Sequence, residues 1–520
     1  MVEISDYTAI DHFLQKYLFR TALDPHKLSN GQVGLPLTTL REFTMQRVMN
    51  LITDRPSWHT KVFDTSVVSE WKEEFFNEKD FDVTKAMMEW CVEELRCKAS
   101  VFEESGFVTV YDGGIIKSDS VNKDWEPDTD KRVLNLVDPS LFPFVYEESR
   151  VLRGSTTSLD DCIHQCGKGE VLIVVFTSYR LVDERVISNY SSRFQWLPCE
   201  VDISGDGARI TSYINNLHPQ NHKNLYTVIE QIIGCTIPLW NCTLSALENV
   251  DSQNRRIVYT DIEYDSDNED PCQYLQPEPP VFNQNVLANV NGIDLRSYGK
   301  SLQVIIKLAN IHLTPDKPEY GEELWHVEGQ MNEHICASAI YYYDSENITA
   351  SVAFRQQSAY DDDYMYYDAE DHEWLSTIFG CHPYGSTVQD VGSINITQGR
   401  LITFPNVFQH RMEKFQLQDP TKPGYCKLLS LFLVDPHINI FSTVNVPCQR
   451  IDWWQEVVTE TVPQIRRLPR EIQDHIFQFI SEFPMTMSDA MELKLELMDE
   501  RENSTADVDE AFHSLTFDLS

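Results

Sequence analysis

Six short apolar segments lie close together between residues 302 and 434, and they constrain the fold more than any other feature of this 520-residue chain. Each segment has the length of a β-strand, and glycine, proline, asparagine and aspartate punctuate the sequence between them. The predicted strands are 302–313, 333–343, 350–355, 391–396, 400–404 and 427–434. Many short strands with this punctuation are typical of a barrel or a jelly roll. The last segment is apolar on both faces, so both of its faces are expected to be buried.

A candidate metal-ligating group consists of His326, Glu328 and His410. Side chains two residues apart on a strand point to the same side, so His326 and Glu328 face one point. Two imidazoles and one carboxylate leave three adjacent positions of an octahedral ion open, as non-haem Fe(II) oxygenases require for substrate and O₂. His-x-Glu alone is common by chance, but residues 399–410 read as a glycine turn, an apolar strand and a proline corner ending in His410. The sequence therefore predicts that Fe(II) binds where these three side chains converge.

The charge and composition of the chain exclude some partners. Its 42 lysines and arginines oppose 81 aspartates and glutamates, giving a formal charge of −39. Such a field repels a phosphate backbone, so no nucleic-acid partner is expected. No apolar run reaches the roughly 18 residues of a membrane span, so no membrane contact is expected. The first residues lack a basic region followed by an apolar core, and 12 cysteines are scattered along the chain. Reduced thiols in the cytoplasm, or in the nucleus, are therefore expected.

Helical periodicity flanks the strand-rich segment on both sides. Apolar residues recur at helical spacing in 38–54, 67–76, 84–103 and 468–500. An acidic, Tyr-rich stretch at 360–373 is predicted to be a solvated loop or, alternatively, a lid over the metal site. The predicted regions are N-terminal helices (1–105), a mixed α/β region packing on the core (106–260), an acidic, proline-rich linker or loop (261–283), a jelly-roll core (284–450), C-terminal helices (451–505) and a loose tail (506–520).

Eight longer stretches make the chain resemble a largely fungal family of uncharacterised proteins, domain-of-unknown-function family 4246. They are 49–54, 138–143, 194–199, 213–219, 307–315, 325–335, 342–347 and 431–437. The core of that family looks like the fold of Fe(II)/2-oxoglutarate-dependent oxygenases. The resemblance therefore implies an α+β protein in which a double-stranded β-helix, or jelly roll, carries N-terminal and C-terminal helical extensions. It implies 2-oxoglutarate as co-substrate beside Fe(II), but no substrate, because the family is uncharacterised.

The resemblance also implies a basic residue for the remote carboxylate of 2-oxoglutarate, usually on the strand after the second histidine. Lys427 lies 17 residues after His410 and opens the last apolar strand. A lysine at the head of a buried strand needs an anionic partner, which a ligand carboxylate would provide. Relatives often carry basic residues at the positions of Cys426 and Lys427, and here only Lys427 is basic. Arg411 and Lys422 are the alternatives.

Other sites and one other function remain open at this point. His334 is an alternative metal ligand, and Cys162-x-His164-x-Cys166 resembles a fragment of a zinc site without a second ligand pair. The favoured hypothesis is an Fe(II)/2-oxoglutarate-dependent dioxygenase that acts on a small molecule or a protein. The alternative is a catalytically silent jelly-roll module that binds a partner or acts as a scaffold through its acidic surface. No motif specifies a substrate or an oligomeric state.

Overall fold

The computed structural model describes residues 18–79, 81–119, 137–172, 189–249, 255–259, 274–283, 292–359, 372–479 and 484–517. The acidic stretch 261–270 and nearly all of the Tyr-rich stretch 360–373 therefore lie outside the described residues, and the predictions about them stay predictions. In the described ranges, no helix has the length and hydropathy that crossing a membrane requires.

The N-terminal part is helical and has its own apolar core. Its helices are α1 (Pro25–Ser29), α2 (Leu40–Thr53), α3 (Trp58–Lys61), α4 (Thr65–Asn77) and α5 (Lys85–Ser105). Side chains cap three of them, because Thr39, Asp64 and Thr84 accept hydrogen bonds from backbone N–H groups of the first turn. Buried methionine and tryptophan side chains from α2, α4 and α5 pack together. The structure thus confirms the three helices that the periodicity predicts.

The largest sheet among the described residues has eight strands and contains four of the six predicted strands. Its strands, in spatial order, are β2 (Phe107–Tyr111), β3 (Ile115–Ser118), β16 (Arg400–Pro405), β12 (Ile335–Glu346), β19 (Gly424–Val434), β10 (Ser301–Leu313), β8 (Cys199–Asp202) and β9 (Arg209–Ile210). All of the neighbouring pairs are antiparallel. The strand β19 is central, and both of its faces are buried as predicted, with Leu429 and Leu431 on one face and Leu428 and Phe432 on the other.

A smaller sheet faces the large one. It consists of β1 (Leu35–Pro36), β14 (Ser351–Ala359), β15 (Val388–Asn395) and β17 (Gln409–Met412), with β14 pairing to the other three strands. The rings of Phe354 on β14 and Phe404 on β16 lie 5.1 Å apart, so the two sheets pack against each other. We call the face of the large sheet that carries Ile340, Ile402 and Phe404 the inner face.

The other face of the large sheet is covered by a long helix, α6 (Lys223–Glu248). Thr403 on β16 and Thr243 on α6 share a hydrogen bond of 2.9 Å. We call this face, which carries Thr403, the outer face. The helix continues through Pro238, because its apolar stripe extends to the buried Leu244 and Leu247.

The remaining strands are short. They are β4 (Phe144–Val145) with β7 (Phe194–Gln195), β5 (Arg150–Val151) with β6 (Glu170–Val171), and β18 (Phe415–Leu417) between β11 (Glu319–Tyr320) and β13 (Ile348–Thr349). Residues 173–188, which follow β6, lie outside the described part of the chain.

The C-terminal part is helical, and its last helix packs along the core. The helices are α7 (Ile451–Thr461), α8 (Pro463–Arg466), α9 (Arg470–Phe477) and α10 (Met487–Ser514). The prediction of a loose tail from residue 506 is wrong, because α10 continues to Ser514 and buries Val508 and Phe512. These apolar residues anchor a segment whose composition is otherwise polar. Lys494 also binds Asp138 at 2.6 Å and so ties α10 to the edge of the large sheet.

Candidate metal centre

A pair of backbone hydrogen bonds brings the two distant histidines together. The N–H of His326 donates to the carbonyl of His410 at 3.1 Å, and the N–H of His410 donates to the carbonyl of His326 at 2.9 Å. Residues that exchange two such bonds on antiparallel strands stand directly opposite each other. The two imidazole rings consequently lie 4.5 Å apart at their centroids.

Glu328 completes a triad with His326 and His410. One carboxylate oxygen of Glu328 lies 3.4 Å from Nε2 of His410 and 3.9 Å from Nε2 of His326. One ligand atom from each of the three residues lies within 4.8 Å of the other two. Among the described residues, this is the only group of three or more His, Cys, Asp and Glu side chains close enough to share a metal ion. The structure therefore brings together the three predicted metal ligands.

The hydrogen bonding of His326 fixes which of its nitrogens faces the triad. Its Nδ1 lies 2.8 Å from the carbonyl oxygen of Leu324. A carbonyl oxygen only accepts hydrogen bonds, so Nδ1 carries the proton, and Nε2 presents its lone pair towards Glu328. Neutral imidazole with one free nitrogen is the form that binds a metal ion.

The carboxyl group of Glu328 is ionised at neutral pH. Burial by itself would raise the pKa of Glu328. The hydrogen bond with His410 and the charges of His326, His410 and Lys307 outweigh that effect and lower the pKa of Glu328 to about 2. Burial and the neighbouring His326 lower the pKa of His410. An ionised carboxylate beside two imidazoles offers an ion one negative charge, and each imidazole adds a lone pair when the nitrogen that faces the triad is unprotonated.

Asn406 holds the backbone of Glu328 in place and was not predicted as a site residue. Its side-chain oxygen accepts from the N–H of Glu328 at 3.0 Å. Its side-chain nitrogen donates to the carbonyls of Glu328, at 2.9 Å, and Ile335, at 3.0 Å. Gly329 follows with φ of 82°, and a Cβ there would lie 2.5 Å from a methyl carbon of Ile335, so only glycine fits this turn. The Pro405-Asn406 corner was visible in the sequence, but its hydrogen bonds were not.

Lys427 lies on the outer face of the large sheet, away from the triad. Residues of β19 alternate between faces. Because β19 pairs with β12 and β12 pairs with β16, Leu431 lies on the same face as Thr403, which is the outer face. Lys427 shares that face and forms an ion pair with Asp344 at 2.8 Å. The structure is therefore contrary to the expectation that Lys427 projects into the cavity of the triad. Its charge already has a partner within the protein.

The two alternative cations also point elsewhere. Arg411 follows His410 on β17, so its side chain leaves the opposite side of the strand. Its guanidinium binds Glu322 at 2.7 Å and lies 4.4 Å from the ring of Trp325. Lys422 is exposed and pairs with Asp419 at 3.1 Å. Neither residue is brought to the triad.

The other candidate ligands do not join a metal cluster in the described part of the chain. His334 is partly buried at a left-handed position with φ of 48°, and desolvation of its ring lowers its pKa to about 4. Cys162 and Cys166 are buried in an apolar cluster with Cys448, whereas His164 between them is exposed. Burial raises the pKa of Cys166, which is the opposite of what a metal-binding thiolate needs.

Comparison with solved structures gives distant similarities. An Fe(II)/α-ketoglutarate-dependent dioxygenase, TqaL, matches at 11% identity over 51% of this chain and 80% of its own, with a TM-score of 0.22. Oxalate decarboxylase from Bacillus subtilis matches at 12% identity over 35% of each chain, and procruciferin, an 11S globulin from Brassica napus, at 12% over 37% and 30%, both with TM-scores of 0.13. Scores this low support no conclusion about fold or activity. The curated proteins include no match to this chain.

Comparison with protein families is decisive. Residues 120–457 match the family described as protein of unknown function (DUF4246), and residues 6–74 match its N-terminal domain. The first match contains the whole triad and most of both sheets, and it covers more than half of the chain. The resemblance inferred from the sequence is thereby confirmed, and this protein belongs to the DUF4246 family of proteins of unknown function.

Proposed function

We propose that this protein is an Fe(II)/2-oxoglutarate-dependent oxygenase of the hydroxylase type, acting on a small-molecule or protein substrate not yet identified. The observation that carries the proposal is the convergence of His326, Glu328 and His410 between the two sheets. Two imidazoles and one carboxylate on one side of an ion are the ligands of non-haem Fe(II) oxygenases.

The order of the strands supports the same proposal. In the large sheet β10, β19, β12 and β16 are adjacent, and in the smaller sheet β17, β14 and β15 are adjacent. The backbone pairing of His326 with His410 adds the segment around residue 326 beside β17. Two facing four-stranded antiparallel layers built in this way are the arrangement of a double-stranded β-helix, which we propose as the fold of the core.

The donor atoms fit a divalent transition metal. Both histidines can present a nitrogen lone pair, and the carboxylate of Glu328 is ionised at neutral pH. The same three donors also hold zinc in some hydrolases, where water takes the fourth position. Iron is preferred in the proposal because the expected reaction needs open sites for both a 2-oxo acid and O₂. The identity of the bound metal is therefore one result of the experiment below.

The residues of the chain would hold and shield the reacting groups. The rings of Phe354 and Phe404 lie against His410, with the Phe404 ring centroid 4.6 Å away, and keep its inner side dry. Glu328 and His326 remain partly accessible, so ligands can reach the triad from that side. When bound, iron and 2-oxoglutarate supply the oxidising chemistry, while the protein fixes geometry and excludes water.

The direct test measures succinate. Purified protein is incubated with Fe(II), ascorbate, 2-oxoglutarate and O₂, alone and with panels of metabolites and peptides. We expect succinate to form above the rate seen with Glu328→Ala, and a true substrate to increase that rate. A wild-type rate equal to that of Glu328→Ala with every panel member would reject the oxygenase and favour the silent binding module.

A further inference from the structure

Lys307 on β10 faces the interior between the two sheets. It stands directly opposite Ser430 on β19, Ser430 stands opposite Ile340 on β12, and Ile340 stands opposite Ile402 on β16. Directly opposed residues of antiparallel strands share a face. Lys307 therefore lies on the inner face, the face that carries Phe404, whose ring contacts His410.

Lys307 is partly buried on the inner face, and its charge acts on the carboxylate of Glu328. The neighbouring acid on the edge of the sheet, Asp138, is bound by Lys494 at 2.6 Å. Across the described residues, no carboxylate lies within salt-bridge distance of Lys307. A partly buried ammonium without an anion is costly, so a bound anion would stabilise this arrangement.

Two other cations on the inner face differ from Lys307 in this respect. Lys117 and Arg400 lie at the far side of the sheet. Lys117 stands opposite Ile402 on β16, and Arg400 stands opposite Tyr342 on β12, so both cations lie on the inner face. Both cations bind Asp54, and Arg400 also binds Asp119 at 2.8 Å. Their charges are therefore compensated within the fold.

The inner face also carries two buried hydroxyl groups that lack hydrogen-bond partners. Ser338 and Tyr342 alternate with Ile340 on β12, so all three share the inner face. Both side chains are fully buried, and neither hydroxyl has a partner within the described structure. A buried hydroxyl without a partner costs free energy, and each can donate to an anion.

We infer that Lys307 binds the remote carboxylate of 2-oxoglutarate, with Ser338 and Tyr342 as further hydrogen-bond donors on the same wall. This inference rests on the proposed function and assigns to β10 the role that the sequence had suggested for Lys427 on β19. Lys307 is a binding residue here, because its ammonium would touch the co-substrate and not the metal. The ligand class is a 2-oxo dicarboxylate, whose 2-oxo acid end would bind at the triad and whose second carboxylate would meet Lys307.

The test compares two ligands that differ only in the remote carboxylate. 2-Oxoglutarate and 2-oxopentanoate are titrated without O₂ into Fe(II)-loaded wild type and Lys307→Met, and binding is followed by calorimetry. We expect the wild type to prefer 2-oxoglutarate by about 10- to 100-fold, the range for a hydrogen bond to a charged group. Lys307→Met should lose that preference and bind 2-oxopentanoate as the wild type does. Lys427→Met is the matched control, and it should keep the preference.

The outcomes separate the inference from the proposed function. A folded Lys307→Met that binds Fe(II) and still prefers 2-oxoglutarate as strongly as the wild type would overturn the role of Lys307 and leave the proposed function standing. A wild type that binds neither Fe(II) nor either 2-oxo acid would overturn the proposed function, and the inference with it. Equal loss of both ligands in Lys307→Met would also overturn the inference, because it would indicate a structural lysine.

Discussion

Replacing Asn406 with alanine should weaken metal binding through the backbone of Glu328. The change removes three short hydrogen bonds, one from the N–H of Glu328 and two to the carbonyls of Glu328 and Ile335, and a longer one of 3.4 Å to the hydroxyl of Thr21. At about 1 kcal/mol for each net bond, the free energy of unfolding should fall by about 3 kcal/mol. Because residues that orient a ligand typically contribute about 10- to 100-fold to metal affinity, the Kd for Fe(II) should rise by a factor in that range.

A matched control separates loss of stability from loss of positioning. Asn215 is also buried and donates to the carbonyls of Leu141 and Phe142 at 3.0 and 3.1 Å. Neither of these hydrogen bonds involves a residue of the triad. Asn215→Ala should lower the free energy of unfolding comparably in urea titrations but leave the Kd for Fe(II) unchanged. If Asn406→Ala lost stability and bound Fe(II) as tightly as the wild type, the positioning role of Asn406 would be refuted.

Two further substitutions test charges that the structure buries. Arg256→Met leaves Glu42 and Glu94 buried without their shared cation, so the free energy of unfolding at pH 7 should fall by about 3–5 kcal/mol. Burial already raises the pKa of Glu42, and loss of the opposing charge of Arg256 should raise it further, whereas Glu94 keeps Lys98 at 2.9 Å. Protonation of Glu42 removes its buried charge, so the deficit relative to wild type should shrink as pH falls towards 4.5. A deficit that stays constant with pH in denaturant titrations would contradict this. Lys427→Met leaves Asp344 without its partner and should also lower stability by roughly 3 kcal/mol, but calorimetry should find Fe(II) and 2-oxoglutarate bound as in the wild type. A selective loss of 2-oxoglutarate binding would return Lys427 to the site.

The sequence predicts elements well where one pattern dominates. The six predicted strands correspond to β10, β12, β14, β15, β16 and β19, because each is an apolar run with clear turns around it. The sequence predicted the convergence of the triad from strand alternation at 326 and 328 and from the position of His410 after a proline corner. The structure brings the three side chains together, but it shows only an isolated bridge between His326 and His410 and no strand that continues through Glu328. The strand that carries His410, β17, has only four residues and was not predicted.

The face occupied by Lys427 was not predictable for a physical reason. An amphipathic strand reveals its inner side by alternation, but β19 is apolar on both faces. The side that meets α6 is decided by partners distant in sequence, such as the contact between Thr243 and Thr403. The same limit hid Lys307, since its inward orientation depends on register with Ser430 and not on any local pattern.

The most direct measurement of the central claim is an anaerobic Fe(II) titration of the wild type, Glu328→Ala, His410→Ala and His312→Ala. His312 lies on β10 beside Tyr425, outside the triad, and serves as the histidine control. The wild type and His312→Ala should bind one equivalent of Fe(II) per chain, and both triad variants should lose that binding while keeping cooperative unfolding. Retention of wild-type Fe(II) affinity by folded His410→Ala and Glu328→Ala would contradict the assignment of the metal centre.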